Sequence, residues 1–112
     1  VEFTFADGKL EGICSSERQM VRRFGAPMAR RLGVRLAELA AAATLADLRA
    51  LPQTRAHELA RDRDEQISLD LAQPYRLILQ VANEPVPRLP QGGLDWETIT
   101  SVVIIEIADT HR

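Results

Sequence analysis

Residues 67–81 read ISLDLAQPYRLILQV, and their periodicity decides the fold class. Ile67, Leu69 and Leu71 alternate with Ser68 and Asp70, the period-two signature of a half-buried strand. Ala72-Gln73-Pro74 makes a tight connection, and the alternation then resumes from Tyr75 to Val81. There Tyr75, Leu77, Leu79 and Val81 point one way, and Arg76, Ile78 and Gln80 the other. So short a link between consecutive strands implies antiparallel neighbours. Before residue 55 the apolar period is 3.6, and after it the period is 2, so a helical half precedes a sheet half.

Toward the N-terminus, Val1 to Phe5 alternate with Val1, Phe3 and Phe5 on one side, a short strand. Asp7 is placed to N-cap a helix carrying Leu10, Ile13, Cys14, Val21 and Phe24 at helical spacing. Gly25 ends that helix, and Pro27 suits the first turn of a second. In the second, Leu32, Leu36 and Leu39 fall at i, i+4 and i+7, and the run Ala40–Ala43 favours helix by propensity. The two read as a helical hairpin whose apolar stripes need a common surface. Leu45 to Leu51 forms a further short turn ended by Pro52, and Arg55 to Ala60 a weakly patterned strand.

Toward the C-terminus, Asn83 to Thr100 contains Pro85, Pro87, Pro90, Gly92 and Gly93. Eighteen residues is long for a hairpin loop, which marks an insertion or a functional segment. Trp96, the only tryptophan, is expected to fold this loop back onto the domain. Val102 to Ile107 is apolar nearly throughout, as in a strand buried on both faces, and Asp109, Thr110 and His111 follow it. The order β-α-α-(β)-β-β-β specifies an α+β fold in a single domain over residues 1–112. An N-terminal helical hairpin packs on one face of an antiparallel β-sheet, and Arg76 points toward the other, free face.

The chain has 112 residues, 46% hydrophobic and 27% charged, which suits one domain with a sizeable core. There is no run of about 18 apolar residues, so no membrane span is expected. No charged-then-apolar signal segment opens the sequence, which gives a cytoplasmic expectation. A single cysteine, Cys14, builds neither a disulfide framework nor a cysteine-rich metal site. The net charge of −2 argues, taken as a total, against a nucleic-acid binder. Split by position it reads otherwise. Residues 1–63 carry +3 and residues 64–112 carry −5, and the window Arg18–Arg35 holds six arginines and no acid. Arg18 and Arg22 are one turn apart, as are Arg31 and Arg35, so each pair shares a helical face. Such a face is either simply solvated or a footprint for nucleic-acid phosphates or an acidic partner.

Candidates for chemistry are few. His57 and His111 are the only histidines, and histidine gives and takes protons near neutrality. The pair can flank a scissile bond as base and acid, or be two surface residues. Arg76 is the sole basic residue between Arg63 and Arg88. Its planar guanidinium can grip a phosphate through two parallel hydrogen bonds, or form a cross-strand ion pair with Asp70 or Glu106. There is no glycine-rich phosphate loop, nucleophile elbow or HExxH pair, and neither a metal nor a small-molecule cofactor is expected. Five aromatics are too few for a base-stacking platform.

An ordered set of short matches runs along nearly the whole chain: Phe5-Ala6-Asp7 with Lys9-Leu10, Leu36-Ala37-Glu38-Leu39, Leu48-Arg49 with Leu51-Pro52, His57-Glu58-Leu59, Pro74-Tyr75-Arg76-Leu77, and Ile107-Ala108-Asp109-Thr110-His111. In these residues the chain resembles the RelE/ParE superfamily of bacterial toxins, and within it the HigB-like plasmid maintenance killer group. The resemblance implies a helical hairpin on an antiparallel sheet and a toxin that cleaves mRNA on the ribosome without a metal, using the substrate's 2′-hydroxyl as nucleophile. It also implies neutralisation by a helix-turn-helix antitoxin of the HigA-like kind. The family's functional positions fall here on His57, on Arg76 in the Tyr-Arg strand, and on Asp109-Thr110-His111, where the family's Asp-Tyr-His run has lost its aromatic residue. The expected roles are His111 as main general acid/base tuned by Asp109, His57 as assistant, and Arg76 as stabiliser of phosphate charge. Thr110, Arg55 and Arg61 are expected to contact substrate. Two other readings accompany this one: a ParE-like gyrase poison, and an inert homologue that serves only to bind an antitoxin.

Overall fold

The switch of period near residue 55 is realised as helices followed by sheet. The computed structural model describes residues 1–60 and 63–110. Strand β1 (Glu2–Phe5) leads through the Asp7 cap, whose Oδ1 accepts from Leu10 N at 2.8 Å, into α1 (Gly8–Cys14). The expected single helix up to Phe24 is broken. At Ser15-Ser16 the chain leaves helical geometry, and the Ser16 hydroxyl caps α2 (Glu17–Phe24) by accepting from Gln19 N. Serine caps well because its oxygen competes for backbone donors, and here it resets the helical phase. Met20 is thereby buried, and Val21, expected inside, is exposed. Gly25 at φ 84°, a backbone region that favours glycine, joins α2 to α3 (Ala26–Ala41). Helix α3 buries Met28, Ala29, Leu32, Arg35 and Leu39 along one stripe. A short helix, α4 (Leu45–Arg49), buries Leu45 and Leu48, and Pro52 opens a 3-10 turn rather than ending a helix.

The sheet adds β2 (His57–Glu58), β3 (Gln66–Asp70), β4 (Tyr75–Val81) and β5 (Ser101–Asp109), in the order β1-β5-β4-β3-β2. The class is α+β with the helices preceding the sheet, as expected, but the sheet is mixed. β2, β3, β4 and β5 pair antiparallel in series, and β1 runs parallel to β5, with Phe3 opposite Val102. Short links force antiparallel pairing only where they exist. Nearly the whole chain separates β1 from β5, which leaves their relative direction open. Of the expected strand 55–60, only two residues pair.

One face of the sheet carries the core. Ile67, Leu69, Leu77, Leu79, Val102 and Ile104 are fully buried there with Leu32 and Leu39 of α3, Leu45 and Leu48 of α4, and Trp96. Cys14 belongs to the same cluster, and burial pushes its thiol up to about 11, which leaves it a packing group rather than a nucleophile. The expected terminus of the last strand at Ile107 moves to Asp109, and a bulge interrupts β5: Ile78 faces Glu106 while the next residue, Leu79, faces Ile104. The extra residue, Ile105, shifts the alternation by one. Ile107 consequently stays on the helix side opposite Leu77, and Glu106 reaches the other face.

Candidate functional site

Opposed residues in a ladder share a face, so the register maps the uncovered side of the sheet. His57 lies opposite Ser68, Ser68 opposite Ile78, and Ile78 opposite Glu106; one step along, Asp70 lies opposite Arg76 and Arg76 opposite Ala108. The period-two reading of β4 is thus confirmed: Arg76 points away from the helices.

On this face, at the end of β3, Asp70 is buried, and its two carboxylate oxygens serve two arginines. Arg76 Nη1 donates to Oδ1 at 2.7 Å, and Arg55 Nε lies 3.6 Å from Oδ2. Of the two ion pairs open to Arg76 in the sequence, the structure adopts the one with Asp70. Arg76 Nη1 also lies 3.4 Å from the hydroxyl of Ser68, which is fully buried between the two strands. Behind Asp70, on the helix side, its backbone carbonyl accepts from Arg35 Nε at 2.7 Å.

Arg35 itself is buried in α3, where its guanidinium also contacts Glu38, whose second oxygen accepts from Gln53 Nε2 at 3.0 Å. This corrects the picture of Arg31 and Arg35 as a shared solvent face. Arg31 is exposed and Arg35 is a core residue. The basic surface of the hairpin is therefore carried by Arg18, Arg22, Arg23, Arg30 and Arg31, all exposed.

His57 is exposed at the sheet edge, with Nδ1 2.9 Å from the Arg55 carbonyl. A carbonyl only accepts, so Nδ1 carries the hydrogen, and in the neutral ring Nε2 is then the acceptor end available to a substrate proton. Arg55 adopts a left-handed backbone (φ 42°) at the end of the 3-10 turn, which brings its carbonyl to His57 while its side chain reaches Asp70.

Arg63 forms a strut for which the strand periodicity gives no sign. Its Nε donates to Gln66 Oε1 on β3 at 2.7 Å and its Nη2 to Glu106 Oε1 on β5 at 2.6 Å, so the side chain bridges β4 on the open face, where Ile78 is buried. The signal that could have found it is Glu106 itself, an acid in an otherwise apolar strand, but its facing depends on the bulge at Ile105.

The other expected site residues lie elsewhere or outside the described residues. Asp109 is opposite Tyr75, a helix-face position, since Tyr75 packs against Phe24 with ring centroids 5.4 Å apart. It lines a shallow groove with Lys9, Arg23 and Phe24, on the opposite side of the sheet from Arg76. Thr110 is tied to the β3–β4 turn: its N and Oγ1 donate to the Pro74 carbonyl at 3.0 and 2.6 Å. The hydroxyl hydrogen of Thr110 is therefore already committed. Arg61 and His111 fall outside the described residues. Among the described residues, no group of three or more His, Cys, Asp or Glu could hold a metal ion, and no helix is long and apolar enough to cross a membrane.

The long loop is anchored on the helix side of the sheet, where Glu58 lies opposite Ile67. Trp96 is fully buried and its indole Nε1 donates to Glu58 Oε2 at 2.9 Å, with the Arg49 guanidinium 4.2 Å above the ring. At the loop base, Asn83 Oδ1 accepts from Thr100 N and Ser101 N. At its tip Arg88 donates to Asp64 and Glu65, and the hydrogen bond to Asp64 above all raises its already high pKa. Trp96 thus folds the loop back as expected, through Glu58, which follows His57 in β2 and faces the opposite side of the sheet.

No protein-family model matches the chain, and its sequence matches no curated protein significantly.

Proposed function

We propose that the chain is the toxin of a toxin–antitoxin pair, a HigB-like endoribonuclease that cuts translated mRNA across the open face of its sheet. The observation that carries this reading is the gathering of His57, Arg55 and Arg76 on one uncovered face, with Asp70 and Ser68 holding the arginines. Together with the ordered sequence resemblance, these are the groups a phosphodiester cleavage by an internal nucleophile requires. The substrate's 2′-hydroxyl attacks the adjacent phosphorus and the bond to the 5′-oxygen breaks, leaving a 2′,3′-cyclic phosphate and a 5′-hydroxyl. One group must take the 2′-hydroxyl proton and another must return a proton to the departing oxygen. His57, through Nε2, and His111 are assigned this traffic, and the arginines the charge growing on the phosphate. Proton transfer by one placed group contributes about 10²–10⁴ in rate. The partners that follow from this reading are the ribosome with its mRNA and a helix-turn-helix antitoxin.

Primer extension on translated mRNA after induction tests the reading. Cuts are expected with the native chain, and their loss with Arg76→Ala despite retained ribosome binding. Growth arrest without cuts but with inhibited gyrase supercoiling would replace it by the gyrase-poison reading. The inert-partner reading draws on one observation, the engagement of both arginines by Asp70, and unaffected growth on induction would favour it.

A further inference from the structure

The guanidinium groups of Arg76 and Arg55 both reach for Asp70. They come from different elements, the start of β4 and the turn before β2, and each meets a different oxygen of the same carboxylate. The two oxygens of a carboxylate present nearly the same spacing as two oxygens of a phosphate, which is why arginine reads both with the same fork. Asp70 has no freedom to swing far. It is buried, its backbone carbonyl is pinned from behind by Arg35 Nε at 2.7 Å, and it sits in the ladder opposite Arg76. Arg55, by contrast, is largely exposed, with 69% of its side-chain surface accessible, and Arg76 retains 25%. Among the described residues only Nη1 of Arg76 is engaged, by Asp70 and Ser68, so the rest of its fork is left for a second acceptor.

We infer that the Arg55–Arg76 pair is an anion seat for a phosphodiester, occupied in the free chain by the Asp70 carboxylate as a built-in competitor. The incoming phosphate must take the arginines from Asp70, or bind them against its charge. The seat deepens the nuclease reading and rests on it for the identity of the diester, an RNA backbone. It separates two roles that look alike in a static structure. A carboxylate that merely positions arginines weakens anion binding when it is removed, because the forks lose their alignment. A carboxylate that competes strengthens anion binding when its charge is removed. The isosteric amide makes the distinction, since Asn at this position keeps a carbonyl acceptor for Arg76 while cancelling the negative charge.

The test uses the purified full chain and an uncleavable probe, a 2′-deoxy trinucleotide, titrated while the arginine Nε–Hε resonances are followed by NMR. With Asp70→Asn, the dissociation constant is expected to fall about tenfold, equivalent to about 1.4 kcal/mol. Adding Arg76→Gln to that variant should return binding to the native level or weaker. An Asp70→Asn chain that stays folded by circular dichroism and binds the probe equally or more weakly overturns the inference. Should Asp70→Asn fail to fold, the native chain decides. The Arg55 and Arg76 signals must shift at lower probe concentration than those of Arg18, Arg22 and Arg23, and the reverse order overturns the seat. Because the probe cannot be cleaved, tight binding to the variant alongside an absence of mRNA cuts by the native chain would refute the nuclease reading and leave the seat standing.

Discussion

Arg35 sits within a helix stripe otherwise made of Met28, Ala29, Leu32 and Leu39, and its charge is the most consequential in the interior. A buried guanidinium is tolerable only when its donors are met, and here Nε finds the Asp70 carbonyl while Nη1 finds Glu38. The sequence could show six arginines between residues 18 and 35 but not which of them turns inward, since an i, i+4 pair names a shared side of a helix and not what lies across from it. Removing the side chain strands a buried carbonyl and a half-buried carboxylate together. Arg35→Ala is accordingly expected to cost about 3 kcal/mol, read as a lower urea midpoint at unchanged slope. A loss below about 0.5 kcal/mol would show that the helix and the sheet are not coupled through this side chain.

Elements carry the next level of constraint. Strand β4 was legible to the residue and β3 to within one residue at each end, because alternation is recorded in consecutive side chains and the link between them is too short to allow another pairing. The break between α1 and α2 was not, because Leu10, Cys14 and Phe24 keep an approximately helical rhythm across Ser15-Ser16, and only the cap at Ser16 reveals the interruption. The long loop behaves as an element of its own, clipped at its base by Asn83 and toward its C-terminal end by the bond from Trp96 to Glu58. Leu94 N adds a weaker donor to Glu58, at 3.4 Å from both oxygens. Glu58→Ala leaves the buried indole N–H without its acceptor, a loss of about 1–3 kcal/mol. The expected readout is faster amide hydrogen exchange over residues 94–99, with β4 and β5 protected as before. Uniform acceleration across the sheet would mean that the clip holds the fold rather than the loop.

For the molecule as a whole, charge is distributed by face. The net −2 conceals a helical hairpin that exposes five arginines and, among the described residues, a sheet face whose arginines each meet an acid: Arg76 and Arg55 share Asp70, and Arg63 meets Glu106. A long-range pull toward nucleic acid would therefore come from the hairpin, and short-range recognition from the open face. Reversing two charges on α2, with Arg22→Glu and Arg23→Glu together, is expected to weaken ribosome association at least tenfold near 50 mM salt. The difference should shrink as salt rises, with the log–log slope reduced by about one for each phosphate that the variant no longer neutralises. An unchanged slope would assign this face to solvent.

Local rhythm and residue chemistry were enough to specify the α+β class, the helical hairpin, the β3–β4 pair, the Gly25 joint and an outward Arg76, because each is written in side chains a few positions apart. Three features required the assembled chain: the parallel seating of β1 on β5, the bulge at Ile105 that sends Glu106 to the open face, and the choice of Asp70 as the acid that Arg76 and Arg55 share. The third is a choice between two acids of the sheet, and the first two depend on which distant strand lies alongside and in what register. A shift of one residue there exchanges the two faces of a strand, and no neighbour along the sequence records it.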